Sequence, residues 1–332
     1  MDNKLYDKLK EIFKEYKWYI IAFIIILVVF NIKLPYSIEL PGGFLSLNDR
    51  IKIDNESETS GEFGMAYVSV IKGTIPTIIY SYINSNSDAI PNSDLTYGNE
   101  SIDDMNKREK LYLNEAMENA EYVAYTNAHK TVSINNTKLY VAYVDHADSP
   151  VKAFDIVTKY NGVAVNSLAD ILNLEDKNSS MAKLEVIRDN KTITLDVPMY
   201  DYNNEKLMGI VIIPNYDMDL DPSITIDTKE NESGPSGGLM MSLSIYDKLT
   251  GSNLTKGDKI IGTGTIAQDG TVGEIGGVKY KLIGAVESGA KVFICPMENY
   301  DEAVKIANEK KYDITIKGVA SFNEAVEFLR SR

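Results

Sequence analysis

Few residues in this chain can start chemistry. Its 332 residues include two histidines, His129 and His146, and one cysteine, Cys295. That inventory excludes an internal disulfide framework and argues against a protein-only zinc site, which draws several ligands from Cys and His. No metal or cofactor is expected. The turn Gly234-Pro235-Ser236-Gly237-Gly238 opens directly into an amphipathic stretch with Leu239, Leu243, Tyr246 and Leu249 on one face. Such a turn sets the Ser236 hydroxyl beside unpaired N–H groups and the positive end of a helix dipole, where a tetrahedral oxyanion could be held. Serine is also a favoured N-cap, so the turn by itself leaves plain capping open. Further on, GTVGEIGGVKYKLIGAVESGAK brings a glycine-rich approach into a second helix that carries Lys279 and Lys281. A serine nucleophile needs a base. Both histidines lie 90 or more residues before Ser236, which turns attention to a lysine, able to act only when burial lowers its pKa from about 10.4.

Taken together, GPSGG, Thr263-Gly264, GGVKYK and the apolar strand VFICP stand in an order and spacing that resemble the proteolytic domain of Lon-type serine peptidases, over about Gly234 to Ala303. The resemblance implies Ser236 as nucleophile and Lys281 as its base, with Lys279 at a variable, solvent-facing position. It also implies Thr263 as the threonine that holds the lysine, with Gly234, Pro235 and Gly237 as supporting or oxyanion residues. Two departures are Ser233, where an acidic residue is common, and Thr265, where Glu is common. The chain has no Gly-Lys dipeptide and hence no Walker A loop, so no ATP is expected as a partner.

Positioning these residues takes alternating elements. From Leu207 onward, strand-like MGIVIIP, SITID, KIIGTGTI, KVFICP and YDITI interleave with four helical stretches, which indicates an α/β (α+β) layer structure with partly parallel pairing. Between about 136 and 200 the order LYVAYV, DHADSPVKAF, DIVTKYNGVAV, SLADILNLE and a closing hairpin resembles a bacterial PDZ domain, with Phe154 where a Gly usually precedes Asp155. Such domains capture a peptide as an added strand. The edge nominated for that role is Leu139, Tyr140, Val141, Ala142, Tyr143 and Val144; a spacer or gate without a ligand is the alternative. Because 207–332 is short for a Lon-type domain, residues 37–135 plus 201–332 are expected to form one discontinuous peptidase domain interrupted by the PDZ-like 136–200.

The charge divides the same chain differently. Residues 1–33 hold six lysines and four acids, and the remainder has 28 basic against 44 acidic residues, within a total of -14. So acidic a body, with no basic stripe, argues against nucleic acid as a partner. The uncharged run Trp18 to Ile32 is short for a bilayer, but reaches a single span over 18–36 if Lys33 snorkels, after a cytoplasmic segment 1–17. A cleaved signal peptide is the competing reading, against which no A-x-A-like site is present. Lys4, Lys8, Lys10, Lys14 and Lys17 before the run put the N-terminus inside and the rest outside a cell membrane. The whole resembles the membrane-anchored, PDZ-containing Lon-type peptidases of Gram-positive bacteria. That implies an ATP-independent Ser/Lys endopeptidase making limited cuts in exported peptides or unfolded segments. A catalytically silent PDZ scaffold or regulator at the cell surface is the alternative.

Overall fold

The structure is a computed structural model that describes residues 3–332 apart from 99, 177 and 204. Met1 and Asp2, the start of the expected N-terminal segment, lie outside the described residues. The chain opens with α1 (Asn3–Phe30), β1 (Lys33–Ser46), β2 (Ile51–Ile53), β3 (Glu62–Thr74), α2 (Ile75–Ile83), β4 (Asp88–Pro91) and α3 (Ile102–Asn127). A second group follows, with β5 (Thr131–Val144), β6 (Ile156–Tyr160), β7 (Val163–Ala164), α4 (Leu168–Leu174), β8 (Met181–Arg188), β9 (Lys191–Pro198), β10 (Tyr200–Tyr202), β11 (Glu205–Leu207) and β12 (Ile210–Asp221). The last group is β13 (Ile224–Ile226), α5 (Gly238–Thr250), β14 (Lys259–Gly262), β15 (Thr265–Ile266), β16 (Val272–Gly273), α6 (Val278–Glu287), β17 (Val292–Pro296), α7 (Met297–Lys310), β18 (Thr315–Val319) and α8 (Phe322–Ser331).

These elements divide into two compact units, residues 1–41 with 69–95, and residues 42–68 with 96–332. In the first, Thr74 caps α2 through a reciprocal capping box with Thr77, and Pro76 sits in the first turn where no N–H is missed. The expectation of a transmembrane helix over 18–36 is overturned here. No helix of the described residues is long and apolar enough to cross a membrane. Helix α1 stops at Phe30, so its uncharged part rises only about 20 Å against roughly 30 Å of hydrocarbon. The residues needed to complete the span open β1 instead, where Tyr36 to Glu39 pair with Asp88 to Pro91 of β4 and Ile38 is fully buried. The membrane partner, the cytoplasmic N-terminus and the extracytoplasmic placement of the rest were inferences from that span, and they fall with it.

The second unit holds Ser236, Thr263 and Lys281. Its main sheet runs in the order β18-β17-β14-β3-β1, with β3, β14, β17 and β18 parallel. Successive strand residues face opposite ways, and the two faces have separate cores. Ile260, Val292 and Ile294 pack with α3, α5 and α8, while Ile261, Phe293 and Cys295 pack with α6 and α7. That explains why KIIG and VFIC are apolar without alternation. Cys295 behaves as the small apolar residue its place demands: it is fully buried, and burial pushes its thiol up to about 12.

β5 and β12 form a long antiparallel ribbon from Thr131↔Asp221 to Val144↔Ile210. Between them β6, β8 and β9 extend the ribbon into a sheet of order β12-β5-β6-β8-β9, beside a separate β10-β11 hairpin, and its core joins Leu139, Val157, Leu184 and Val197 to Met199 and Met208. The chain thus enters this module along one strand and leaves along the next, and the module extends past residue 200 to take β12. Its turn is explained by Phe154, which adopts φ 72°, the conformation for which glycine is the ordinary choice. SPVKAF forms no helix. Asp155 holds that stretch as a loop, accepting from Lys152 N and, through both oxygens at 2.6 Å, from the Arg188 guanidinium.

Three glutamates of α3, Glu115, Glu118 and Glu121, are partly buried, and burial pushes each up to about 7 from near 4.5. Glu118 accepts from Tyr216 N at 2.8 Å and from the Asn215 amide, tying α3 to the ribbon. The sign follows from linkage: a carboxyl that holds its proton more tightly when folded favours folding less as pH rises from 4.5 to 7, after which the loss levels off. Thermal unfolding of Glu121→Gln should therefore show a higher midpoint than the parent at pH near 8 and none of that gain at pH near 4. Equal midpoints at both would show that this carboxyl is not desolvated.

Candidate active site

Ser236 sits half-buried in the turn immediately before α5. Its carbonyl, not its hydroxyl, is what the fold grips: Gly264 N donates to it at 2.8 Å and Thr263 Oγ1 at 3.0 Å. Leu239 N donates back to Gly264 O at 3.1 Å, so the turn is laced to the chain that leaves the C-terminal end of β14. Pro235 O accepts from Gly238 N at 3.2 Å, and Gly234 N donates to Glu109 O at 2.9 Å. A side chain at Gly237 would put its Cβ 2.5 Å from Met65 Sδ of β3, so the α5 start lies close on the sheet and a larger residue there would make Met65 shift.

Lys281 stands in the first turn of α6, with its N–H donating to Gly277 O at 3.2 Å. It is 4% exposed, whereas Lys279 is half-buried with its Nζ 5.1 Å over the Tyr280 ring. The burial has a local cause. Gly284, three residues on and so on the same helix face, lies so close to β1 that a Cβ would meet Gly43 N at 2.7 Å. Parallel β14 and β17 are joined through α6, which must run back across the sheet, so the first turn of α6 lies at the end of the sheet where β14 finishes. Ser236 is tied to that same end. The two segments reach it from opposite faces, α5 packing with one core and α6 with the other. In open α/β sheets this is the edge where ligands bind.

Of the residues singled out by sequence, Ser236, Thr263, Gly234, Pro235 and Gly237 form one hydrogen-bonded or tightly packed turn, and Thr263, fully buried, is joined to Ser236. The nominated edge Leu139 to Val144 is a different matter: β5 is an interior strand. It pairs with β12 along its length and meets β6 through Leu139↔Val157 and Tyr140↔Ile156, so it is not an edge strand of the described sheet. Sequence gave no way to see that β12, beyond the hairpin, closes over it. The edge strands of the described sheet are β12 and β9.

Two supporting groups carried no sequence signal. Arg108 reads as part of a charged helix face, yet it is 2% exposed and bonds Glu100 at 2.9 Å and Glu109 at 2.6 Å, with its guanidinium 4.2 Å over Tyr97. Burial raises the Glu109 carboxyl, and Arg108 opposes that rise. Since Glu109 O receives Gly234 N, this buried pair underlies the serine turn. Asn299 does the same for the lysine: its amide accepts from Ile275 N and donates to Ile275 O, both at 3.0 Å, fixing the loop that enters α6.

Comparison with known proteins bears on the same stretch. Residues 227–330 match the Lon protease (S16) C-terminal proteolytic domain. A Lon protease of Campylobacter concisus is 31% identical over 181 residues, 53% of this chain and 22% of that protein. Lon proteases of Neorickettsia sennetsu and Helicobacter pylori are 33% and 28% identical over 98 and 165 residues, 30% and 48% of this chain. The aligned parts span only 12% and 19% of those two proteins' lengths. The matched part of the chain, mixed α/β in structure, is thus similar to a Lon-type proteolytic domain.

Proposed function

We propose that this chain cleaves peptide bonds with Ser236 as nucleophile and Lys281 as its base. Neutral Lys281 Nζ takes the Oγ proton as Oγ attacks the scissile carbonyl carbon, and the carbonyl oxygen becomes the oxyanion. The positive end of α5 and the turn's N–H groups stabilise it. Collapse breaks the C–N bond, with the lysine returning its proton to the leaving amine. Water then attacks the acyl-serine by the same route, regenerating the hydroxyl. Thr263 donates its hydrogen to Ser236 O and keeps acceptor lone pairs with which to orient the lysine.

The observation that carries this reading is a lysine 4% exposed on a helix that starts at the end of the sheet to which the serine turn is laced. A lysine is seldom buried this completely without a reason. The reading further takes residues 37–135 and 201–332 as one peptidase domain, with the PDZ-like module as an insert that captures peptide. In support, β3 and β14 share a sheet across the insert and β5 and β12 lead into and out of it. ATP is not required, in keeping with the absence of a Gly-Lys dipeptide from these residues.

The test is cleavage of an unfolded protein by the purified chain, with and without ATP, beside the Ser236→Ala variant. Products that are the same for parent and variant would end the peptidase reading; a rate that requires ATP would end the nucleotide-free part. Because the base works only when neutral, the rate should climb with pH up to the point where unfolding intervenes. A bell centred near neutrality would instead indicate a different base.

A further inference from the structure

Beside the free edge of β12, the inserted module has a groove of about 450 Å³ between that strand and α4. Leu168, Ile171 and Leu172 of α4 line one wall and Ile210 to Ile212 the other. Leu172 is 66% exposed and Val211 41%, an expense of apolar surface that solvent alone does not reward. An edge strand flanked by an apolar wall suits capture of an extended segment as a further antiparallel or parallel strand, with alternate side chains entering the groove.

The charges of the groove decide what kind of segment. Its lining includes two carboxylates, Asp145 and Glu175, and no lysine, arginine or histidine. Asp145 is held in place by phenols. Tyr202 OH donates to its Oδ2 at 2.5 Å and Tyr143 OH to its Oδ1 at 3.4 Å. Burial, and then the Asp145 carboxylate, push the Tyr202 phenol up to about 12, so it remains a donor. With its one hydrogen spent on Asp145, Tyr202 accepts from His146 Nε2 at 2.9 Å, and His146 in turn stacks on Tyr200 at 3.5 Å. The carboxylate is therefore held by two phenols, with His146 Nε2 3.9 Å away, and its side chain stays 47% exposed. A peptide's terminal carboxylate placed here would face like charge, which costs affinity, whereas an ammonium or guanidinium would be attracted.

We infer that the β12–α4 groove binds an internal, extended peptide segment that presents apolar side chains and a lysine or arginine to Asp145, rather than a free C-terminus. The inference rests on the reading of this module as a peptide-capturing insert, but not on the peptidase chemistry.

Fluorescence anisotropy on the full chain carrying Ser236→Ala, which leaves peptides intact, separates the two. Three labelled probes share an alternating Val/Leu sequence: one with a central lysine and an amidated C-terminus, one with glutamate for that lysine, and one with the lysine and a free carboxylate. The lysine amide should bind about tenfold more tightly than the glutamate peptide, with the free carboxylate adding nothing. Asp145→Asn should remove most of that preference. Leu172→Asn, at an exposed site that folding tolerates, should weaken all three probes. Binding of none of the probes would sink both the capture reading and the inference. Preference for the glutamate or free-carboxylate probe, or a lysine preference that survives Asp145→Asn, would leave capture standing and overturn the inference.

Discussion

Peptide hydrolysis should fall by about a thousandfold or more in Ser236→Ala and in Lys281→Met alike, because residues that act as one unit each remove nearly the whole effect. The two variants are chosen so that folding is not in question. Thr263 and Gly264 hold Ser236 by its backbone oxygen, so deleting the hydroxyl leaves the turn's anchors in place. Lys281 is 4% exposed, and methionine fills a similar volume, so the packing around it is kept. Initial rates on an unfolded protein, read beside circular dichroism and a thermal midpoint, decide the matter. Retention of more than a few per cent of the rate by either variant would remove that residue from the chemistry. The double variant should be no slower than the singles, whereas independent contributions would multiply.

Arg108→Met should cost about 3–5 kcal/mol of folding stability, the size seen when one member of a buried ion pair is removed. The side chains of Arg108 and Glu100 are 2% and 5% exposed, and that of Glu109 28%. Without the guanidinium, two carboxylates face each other in a desolvated place, and Arg108 no longer opposes the rise that burial imposes on Glu109. The deficit should accordingly be larger at pH near 8 than near pH 5, where the raised Glu109 carboxyl takes up a proton in the folded state. Adding Glu100→Gln should recover part of it. Urea unfolding at the two pH values tests this, and a loss below about 1 kcal/mol would place the network among solvated surface pairs. Activity should fall with stability, since Glu109 O bonds Gly234 N beneath the serine turn.

How much of this could be read before the fold was known differs by feature, and for physical reasons. Helices α5, α6, α7 and α8 were legible because their apolar residues recur with helical period and their ends carry capping or glycine signals. The parallel strands were legible because burial on both faces leaves an unbroken apolar run. The serine turn and the lysine helix start were legible as local glycine patterns tied to a helix. The transmembrane span was misjudged at one point, Lys33 to Ile38: hydropathy does not distinguish residues continuing a helix from residues entering a sheet edge, and β4, some fifty residues on, takes them. The peptide edge was misjudged in the same way, because β12 lies beyond the hairpin that closes the PDZ-like segment.

By itself, then, the sequence determined which groups were available, a serine without a usable histidine and a lysine in reach of a helix start, since the residue inventory and local spacing need no partner to be read. Only the tertiary structure decided that Lys281 rather than Lys279 is withdrawn from water, that Arg108 is a buried prop for Gly234, and that the open edge belongs to β12. Each of those depends on strands and helices that meet across long stretches of chain, and burial and strand pairing exist only once they have met.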